Sequence, residues 1–184
     1  MSNTGRRIVI TGFMGAGKTT VAVALARELG CASLDLDDLI AAREGRTPQR
    51  LIDEDGEAAF RDAETRALRE ALERGDARVV ATGGGTWTLE RNRAAVAGHG
   101  CLSVWLDAPF DLCWERITRV GARGLRPFAR DRAAARRLYE LRLADYALAH
   151  LRVGVTPRHT AEEVAAEIAS AARGASGERR GGLD

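Results

Sequence analysis

Residues 6–20 read RRIVITGFMGAGKTT, and this stretch decides the fold. Its first six residues form a short apolar run that is typical of a β-strand. Residues 12–19, GFMGAGKT, match the GxxxxGK[ST] pattern of a phosphate-binding loop. Residues 21–29, VAVALAREL, have the alanine and leucine content of a helix that closes at Gly30. The stretch therefore predicts a strand, a phosphate-binding loop and a helix in succession.

The phosphate-binding loop implies a nucleotide ligand. Its backbone N–H groups and the N-terminus of the next helix would cradle phosphate oxygens. Lys18 would reach the β- and γ-phosphates of ATP, and the Thr19 hydroxyl would ligate Mg²⁺. Lys18 is the only lysine among 28 basic residues, which indicates that this position needs a compact ammonium group. The residues expected to bind the nucleotide here are Gly12, Gly15, Ala16, Gly17, Lys18, Thr19 and Thr20.

Strand and helix patterns alternate along the rest of the chain. Further strands are predicted at residues 31–37, 77–82, 101–107 and 151–155. The clearest helical patterns cover residues 56–75, 132–151 and 160–173, the last with Thr160 and Glu163 at capping-box spacing. This alternation predicts a three-layer α/β/α sandwich around a central, mostly parallel five-stranded sheet, with ligands at the carboxyl ends of the strands.

The chain is long enough for one domain, and no linker divides it. We assign residues 1–173 to that domain. Residues 119–132 are rich in arginine and lack apolar periodicity, which predicts a lid inserted in the domain. Residues 174–184 form a polar tail that we expect to be disordered.

Composition excludes several classes of protein. The net charge of +2 is too small for a dedicated nucleic-acid or membrane-surface protein, so we expect a small-molecule ligand. No apolar stretch approaches the roughly 18 residues that span a bilayer, and no signal peptide is evident, which favours the cytoplasm. The three cysteines and three histidines show no metal-binding spacing. For the oligomeric state, a monomer is the default expectation.

Two carboxylates at the end of the second predicted strand offer further chemistry. Asp35 and Asp37 are two residues apart, so in extended backbone they would point to the same side. One could hold the Mg²⁺ shell while the other accepts a proton from a substrate hydroxyl. Asp38 more naturally belongs to the start of the next helix. The alternative is that all three are helix-capping acids.

The order of the motifs resembles that of shikimate kinases, a family of the nucleoside-monophosphate-kinase-like P-loop group. The matching segments are GFMGAGKTT, LDLDDLI, DGEAAFRDAE, TGGG, an RP pair in the arginine-rich lid, and an arginine shortly before a tyrosine. The resemblance covers about residues 6–170, and it implies a P-loop kinase fold with a substrate-binding segment at about residues 35–64.

The resemblance also implies a reaction, namely ATP- and Mg²⁺-dependent phosphorylation of the 3-hydroxyl of shikimate. In that reaction Asp37 would bind the shikimate hydroxyls and assist deprotonation, while Asp35 would lie near Mg²⁺. Arg61 and Arg142 would clamp the substrate carboxylate, since a planar guanidinium suits bidentate binding. Glu64 would support Arg61 or a hydroxyl.

Further residues are assigned by the same resemblance. Gly83, Gly84 and Gly85 would line the substrate pocket with backbone N–H groups. Arg126 would descend with the lid onto the transferring phosphate, and Arg119 would lie near the adenine. Lid closure would exclude water and limit ATP hydrolysis.

The sequence departs from the family pattern in ways that leave the acceptor open. Leu51-Ile52 replaces an Ile-Phe-like pair, and the lid reads RPFARD instead of RPLL. One alternative is a kinase of another small polyol acid, such as gluconate or a shikimate-like cyclitol. Another is a catalytically silent nucleotide-binding module. A GTPase switch is disfavoured because guanine recognition by an NKxD motif needs a second lysine.

Overall fold

Apolar segments of three to six residues form the sheet of the computed structural model, which describes residues 5–119 and 131–177. The strands are β1 (Ile8–Thr11), β2 (Ser33–Asp35), β3 (Val79–Ala81), β4 (Leu102–Asp107) and β5 (Leu151–Gly154). They lie in the order β2-β3-β1-β4-β5, and every neighbouring pair is parallel. This confirms the predicted five-stranded parallel sheet.

Helices cover both faces of the sheet. They are α1 (Lys18–Glu28), α2 (Leu36–Glu44), α3 (Pro48–Arg74), α4 (Glu90–Gly98), α5 (Phe110–Arg119), α6 (Arg132–Tyr146) and α7 (Ala161–Gly177). The helix α1 packs against α7, while α3 packs against both α2 and α4, and α5 packs against α6. By the right-handed rule for crossovers between parallel strands, α1 and its partner α7 lie on one face of the sheet and α2 to α6 on the other, which gives the predicted three layers.

The boundary between β2 and α2 differs from the prediction. The pattern LDLD predicted extended backbone to residue 37, but β2 ends at Asp35 and α2 begins at Leu36. The Asp35 carboxylate caps the helix by accepting the Asp37 backbone N–H at 2.9 Å, and its other oxygen accepts the Thr19 hydroxyl. Asp35 and Asp37 therefore do not share one face of a strand. Asp38 lies in the first turn of α2, as predicted.

The helix α3 begins eight residues before the predicted start at residue 56. Thr47 caps it by accepting the Arg50 N–H, and Pro48 occupies the first turn, where its missing N–H costs nothing. Gly56 has φ 89° and kinks the helix without ending it. The chain leaves the kink with Phe60, Arg61 and Glu64 on the part of α3 that packs inward.

The predicted signals at Gly45 and Thr160 are confirmed, whereas α6 ends at Tyr146, five residues before its predicted end. Gly45 closes α2 in left-handed conformation, and Thr160 and Glu163 exchange the predicted capping-box bonds at the start of α7. The helix α7 continues to Gly177, four residues beyond its predicted end. Most of the predicted lid, including Arg126, lies outside the described residues, as does the tail from residue 178.

The core consists of the apolar strands and the inward faces of the helices. Cys101 and Cys113 are buried, Cys31 is partly buried, and all three thiols are free. Burial raises the pKa of Cys113 to about 11, which keeps it protonated at neutral pH. Within residues 5–119 and 131–177, no helix is long and apolar enough to cross a membrane.

Candidate active site

The phosphate-binding loop follows β1 and lies directly on neighbouring backbone. A side chain at Gly12 would meet the Leu106 carbonyl oxygen at 2.7 Å, and one at Gly15 would meet the Cys113 carbonyl oxygen at 2.5 Å. Both glycines also have positive φ, 138° and 74°, which other residues rarely adopt. The glycines of the motif are therefore required by the contact of the loop with β4 and α5.

Lys18 is the first residue of α1, and its ammonium folds back over the loop. Nζ donates a hydrogen bond to the Phe13 carbonyl oxygen at 2.9 Å. The Phe13 ring packs edge-on against Tyr139, with ring centroids 5.2 Å apart. The loop thus carries a positive charge at the helix N-terminus, where the backbone N–H groups and the helix dipole also favour an anion.

Arg116 of α5 is a residue that the sequence analysis missed. Its Nη1 donates to the carbonyl oxygens of Gly15 and Ala16, both at 3.2 Å. It also lines a cavity of about 300 Å³ beside the loop, together with Thr20. No sequence signal separates Arg116 from the other 26 arginines, because its role depends on how α5 packs against the loop.

Arg119 lies one turn further along α5. Its guanidinium pairs with Glu115 at 2.6 Å, and it is not among the residues that line the cavity. The structure therefore places Arg116 against the phosphate-binding loop, and the adenine contact assigned to Arg119 stays a prediction.

Thr19 and Asp35 form a pair of oxygen ligands beside the loop. The Thr19 hydroxyl donates to Asp35 Oδ2 at 2.5 Å, while Oδ1 of the same carboxylate caps α2. Oxygen donors of this kind suit Mg²⁺, which usually takes few protein ligands and completes its shell with phosphate oxygens and water. In the described part of the chain, no cluster of three or more His, Cys, Asp or Glu side chains could hold a metal ion.

The glycine segment, residues 83–85, follows β3 and lies within a ring of charged side chains. A side chain at Gly83 would meet Glu64 Oε1 at 2.8 Å and Asp37 Oδ1 at 3.3 Å. One at Gly85 would overlap the Arg61 guanidinium, with Nη2 at 2.4 Å. Glycine is therefore needed here because the carboxylates and the guanidinium pack directly against the backbone.

Arg61 is held in place by two carboxylates of α3. Nη1 pairs with Glu64 at 2.8 Å, and Nη2 pairs with Glu57 at 3.0 Å. Glu64 is fully buried and also accepts the Thr86 hydroxyl at 2.6 Å. Burial acts to lower the pKa of Arg61, but Glu64 and Glu57 outweigh it and hold that pKa above its usual value. Arg61 is thus a fixed and permanently charged group.

Arg142 approaches the glycines from α6. It is 7% exposed, and its Nη1 lies 3.5 Å from the position that a Cβ of Gly84 would occupy. One turn later, the Tyr146 hydroxyl donates to the Gly84 carbonyl oxygen at 2.5 Å. Burial raises the pKa of Tyr146 to about 12, although Arg142 beside the hydroxyl opposes this rise. Tyr146 thus connects the glycine segment to the helix that carries Arg142.

The glycine segment also joins the two halves of the site. The position of a Cβ on Gly84 lies 3.3 Å from the Met14 backbone nitrogen and 3.6 Å from the Gly12 carbonyl oxygen. The phosphate-binding loop therefore lies next to the ring of charged side chains that contains Asp37, Arg61 and Arg142. The substrate-binding roles assigned to Asp37, Arg61 and Arg142 stay predictions, and Arg126 lies outside the described residues.

The parallel sheet, the phosphate-binding loop with Lys18 and Thr19, and the adjoining charged pocket define a P-loop kinase. A family model described as shikimate kinase matches residues 14–173. The chain is 41% identical to the shikimate kinase of Ruegeria pomeroyi over 79% of its length and 74% of that protein. It is 40% identical to the shikimate kinase of Geobacter sulfurreducens over 92% of each chain. The chain belongs to the shikimate kinase family, whose members are phosphotransferases acting on a hydroxyl group.

Solved structures agree with this assignment. Shikimate kinase from Acinetobacter baumannii in complex with shikimate superposes with a TM-score of 0.84 at 34% identity, covering 94% of this chain and 95% of that one. Shikimate kinase from Aquifex aeolicus superposes with a TM-score of 0.76 at 30% identity, covering 92% and 98%. The similarity thus extends over almost the whole fold.

Proposed function

We propose that this protein transfers the γ-phosphoryl group of ATP to the 3-hydroxyl of shikimate in the presence of Mg²⁺. The observation that carries the proposal is the position of Asp37, Arg61 and Arg142 around the glycine segment that adjoins the phosphate-binding loop. A small acid with several hydroxyl groups matches such a pocket, because it needs two cations for its carboxylate and an acceptor for its hydroxyl proton.

Arg61 and Arg142 would bind the carboxylate of the substrate. The two guanidinium groups reach the glycine segment from different helices, α3 and α6, so the carboxylate would be held from two sides. Arg61 keeps its orientation through Glu64, which is itself fixed by Thr86. This arrangement would place the ring hydroxyls near Asp37 with little loss of side-chain freedom on binding.

Asp37 would accept the proton of the 3-hydroxyl as the bond to phosphorus forms. The hydroxyl oxygen attacks the γ-phosphorus, the bond to the bridging oxygen breaks, and ADP leaves with the electron pair. Lys18 would neutralise charge that develops on the phosphate oxygens. Mg²⁺, when bound by Thr19 and Asp35, would supply further charge neutralisation at the β- and γ-phosphates.

The cavity beside Arg116 would take the nucleotide base. It adjoins the phosphate-binding loop at Ala16 and Gly17, and a volume of about 300 Å³ suits a small heterocycle. Arg126 would complete the charge neutralisation from the lid, as the resemblance implies. A monomer would suffice for this chemistry, since all the residues named come from one chain.

Acceptor-dependent ADP formation tests the proposal. Purified protein with Mg-ATP is compared on shikimate, quinate, gluconate and nucleoside monophosphates. We expect ADP release with shikimate, and a loss of about 10²-fold or more in the Lys18→Met and Asp37→Asn variants. Turnover of gluconate or quinate in place of shikimate would refute the assigned acceptor. ATP binding without turnover of any acceptor would refute the assigned reaction.

A further inference from the structure

A second cavity, of about 310 Å³, lies at the opposite end of the sheet from the phosphate-binding loop. Its walls come from the segments just before β1 and β3 and from the ends of α3 and α4. The residues that line it include Arg6, Arg7, Gly75, Arg78, His99 and Gly100. None of them belongs to the site of the proposed reaction.

Backbone carbonyl groups fix the three arginines of this cavity. Arg6 donates to the carbonyl oxygens of Gly100 and Cys101 at 2.7 and 3.0 Å. Arg7 donates to two carbonyl oxygens in and after α3, at 2.6 and 3.2 Å. Arg78 donates to the carbonyl oxygen of Arg6 at 3.3 Å. Because all three side chains are half-buried and anchored, their positive charges stay close together.

No residue that lines the cavity carries a carboxylate, and the neighbouring Asp76 pairs with Arg74. Among the described residues, no carboxylate lies within 4 Å of the guanidinium nitrogens of Arg6, Arg7 or Arg78. On the surface of α2 and α3, by contrast, arginines pair with acids, as Arg50 does with Glu54. The carbonyl groups at the ends of α3 and α4 carry only partial negative charge, so they offset the three cations in part.

We propose that this cavity binds the phosphoryl group of a small molecule, either inorganic phosphate or a phosphate monoester. A guanidinium has five N–H donors, and the bonds to carbonyl oxygens use at most two on each arginine, which leaves donors for phosphate oxygens. Three fixed cations favour a dianion over a monoanionic carboxylate. The volume exceeds that of phosphate alone, so the remainder of a small phosphate monoester also fits.

The binding site is tested on the full chain by NMR. Saturating Mg-ADP and shikimate occupy the catalytic site, and inorganic phosphate, glycerol 3-phosphate or acetate is then titrated. We expect saturable shifts of the Gly75 and Gly100 amide signals with both phosphates and much weaker binding of acetate. Absence of shifts at these glycines would overturn the proposal, and equal binding of acetate would overturn its assignment to a phosphoryl group.

Charge variants test the role of the arginines. Arg78 makes one hydrogen bond to the backbone, so Arg78→Gln disturbs the fold least, and we expect phosphate binding to weaken about tenfold. Arg27 is the matched control, because it is exposed near the end of α1 and does not line the cavity. Arg27→Gln should leave the affinity for phosphate unchanged. An equal effect of both variants would show unspecific electrostatic attraction and refute the site.

Discussion

At the scale of single residues, burial decides how much each ion pair contributes to the free energy of unfolding. Glu64 and Glu57 both pair with the Arg61 guanidinium at similar distances. The Glu64 side chain is fully buried, whereas 69% of the Glu57 side chain is exposed. Breaking a buried pair leaves a charge that water cannot reach, while an exposed pair is replaced by hydration.

The two glutamates therefore give a matched test. We expect Glu64→Gln to lower the free energy of unfolding by about 3 kcal/mol and to raise KM for shikimate, because Arg61 loses the partner that orients it. Glu57→Gln should cost less than about 1 kcal/mol and leave KM nearly unchanged. Urea unfolding and steady-state kinetics measure both quantities. Equal effects of the two variants would show that the buried pair with Glu64 is no more important for Arg61 than the exposed pair with Glu57.

Tyr146 offers a test of substrate positioning. Tyr146→Phe removes the hydroxyl that holds the Gly84 carbonyl group and lies beside Arg142. We expect KM for shikimate to rise about tenfold with kcat within about twofold, because the carboxylate clamp loosens while the phosphoryl-transfer groups stay in place. Steady-state kinetics at varied shikimate concentrations measures KM and kcat separately.

Tyr139→Phe is the control for this variant. The Tyr139 hydroxyl also donates to a backbone carbonyl oxygen, that of Ala108, at 3.1 Å, but this carbonyl group is not part of the glycine segment. Its loss should lower stability to a similar degree without raising KM for shikimate. A rise in KM for both variants would indicate general loosening of the fold.

At the scale of elements, the beginnings and ends of helices depend on single residues. Gly56 bends α3 with φ 89° and ψ 166°, and nothing lies within 4 Å of the position of a Cβ. Gly98 ends α4 without positive φ and is equally free of neighbours. The two glycines therefore differ in backbone conformation and not in space.

Alanine substitutions measure this difference. We expect Gly56→Ala to destabilise the protein by about 2 kcal/mol, because an L-residue is strained at this φ and ψ. Gly98→Ala should be neutral or stabilising by up to about 1 kcal/mol. Denaturant unfolding of both variants gives the comparison. If Gly56→Ala leaves the free energy of unfolding unchanged, α3 can straighten at this position without loss of stability.

His150, just before β5, is hydrogen-bonded to Ser103 of β4. The Ser103 N–H donates to His150 Nδ1 at 3.2 Å, so this nitrogen is an acceptor, and the Ser103 hydroxyl lies 2.6 Å from it. Burial and the charge of Arg6 lower the pKa of His150 below its usual value. Because the unfolded state then binds the proton more tightly, stability is full above the unfolded pKa of about 6.5 and falls below it.

We therefore expect the wild-type protein to lose more stability between pH 7.5 and pH 5.5 than the His150→Gln variant does. Thermal unfolding at several pH values measures the difference between the two proteins. Parallel pH profiles would show that His150 does not contribute to the loss.

The sequence predicted most elements because their signals are local. The phosphate-binding loop, the caps at Gly45 and Thr160 and the alternation of strands and helices follow from neighbouring residues. The pattern LDLD misled because it suits a strand as well as a capped helix, and only tertiary contact with Thr19 and the next strand decides between them. Arg116 was missed for a similar reason, since its partners lie about a hundred residues away.

At the scale of the whole molecule, the two ends of the parallel sheet carry different groups of residues. The carboxyl ends of the strands carry the phosphate-binding loop, Asp35 and the glycine segment, while the amino ends carry the arginine-lined cavity. The framework between them consists of apolar contacts and backbone hydrogen bonds. In the described part of the chain, neither end groups three or more His, Cys, Asp or Glu side chains as metal ligands.

Removal of divalent cations should therefore separate catalysis from folding. We expect a chelator to abolish phosphoryl transfer, because the phosphate charge is then neutralised only in part. The midpoint of thermal unfolding should stay unchanged, since Thr19 and Asp35 already bond to each other. Differential scanning calorimetry and the ADP assay test this on the same samples. A large drop in the midpoint would reveal a structural ion.

The position of Lys18 has a practical consequence. The chain has a single ε-amine, and the fold keeps it over the phosphate-binding loop, within reach of the Phe13 carbonyl oxygen. Amine-selective acylating reagents therefore have one side-chain amine as a target besides the chain terminus, and that amine lies at the catalytic centre. A fluorophore or isotopic tag attached through this amine would mark the catalytic centre in every molecule, and protection from acylation would report nucleotide occupancy without any coupled assay.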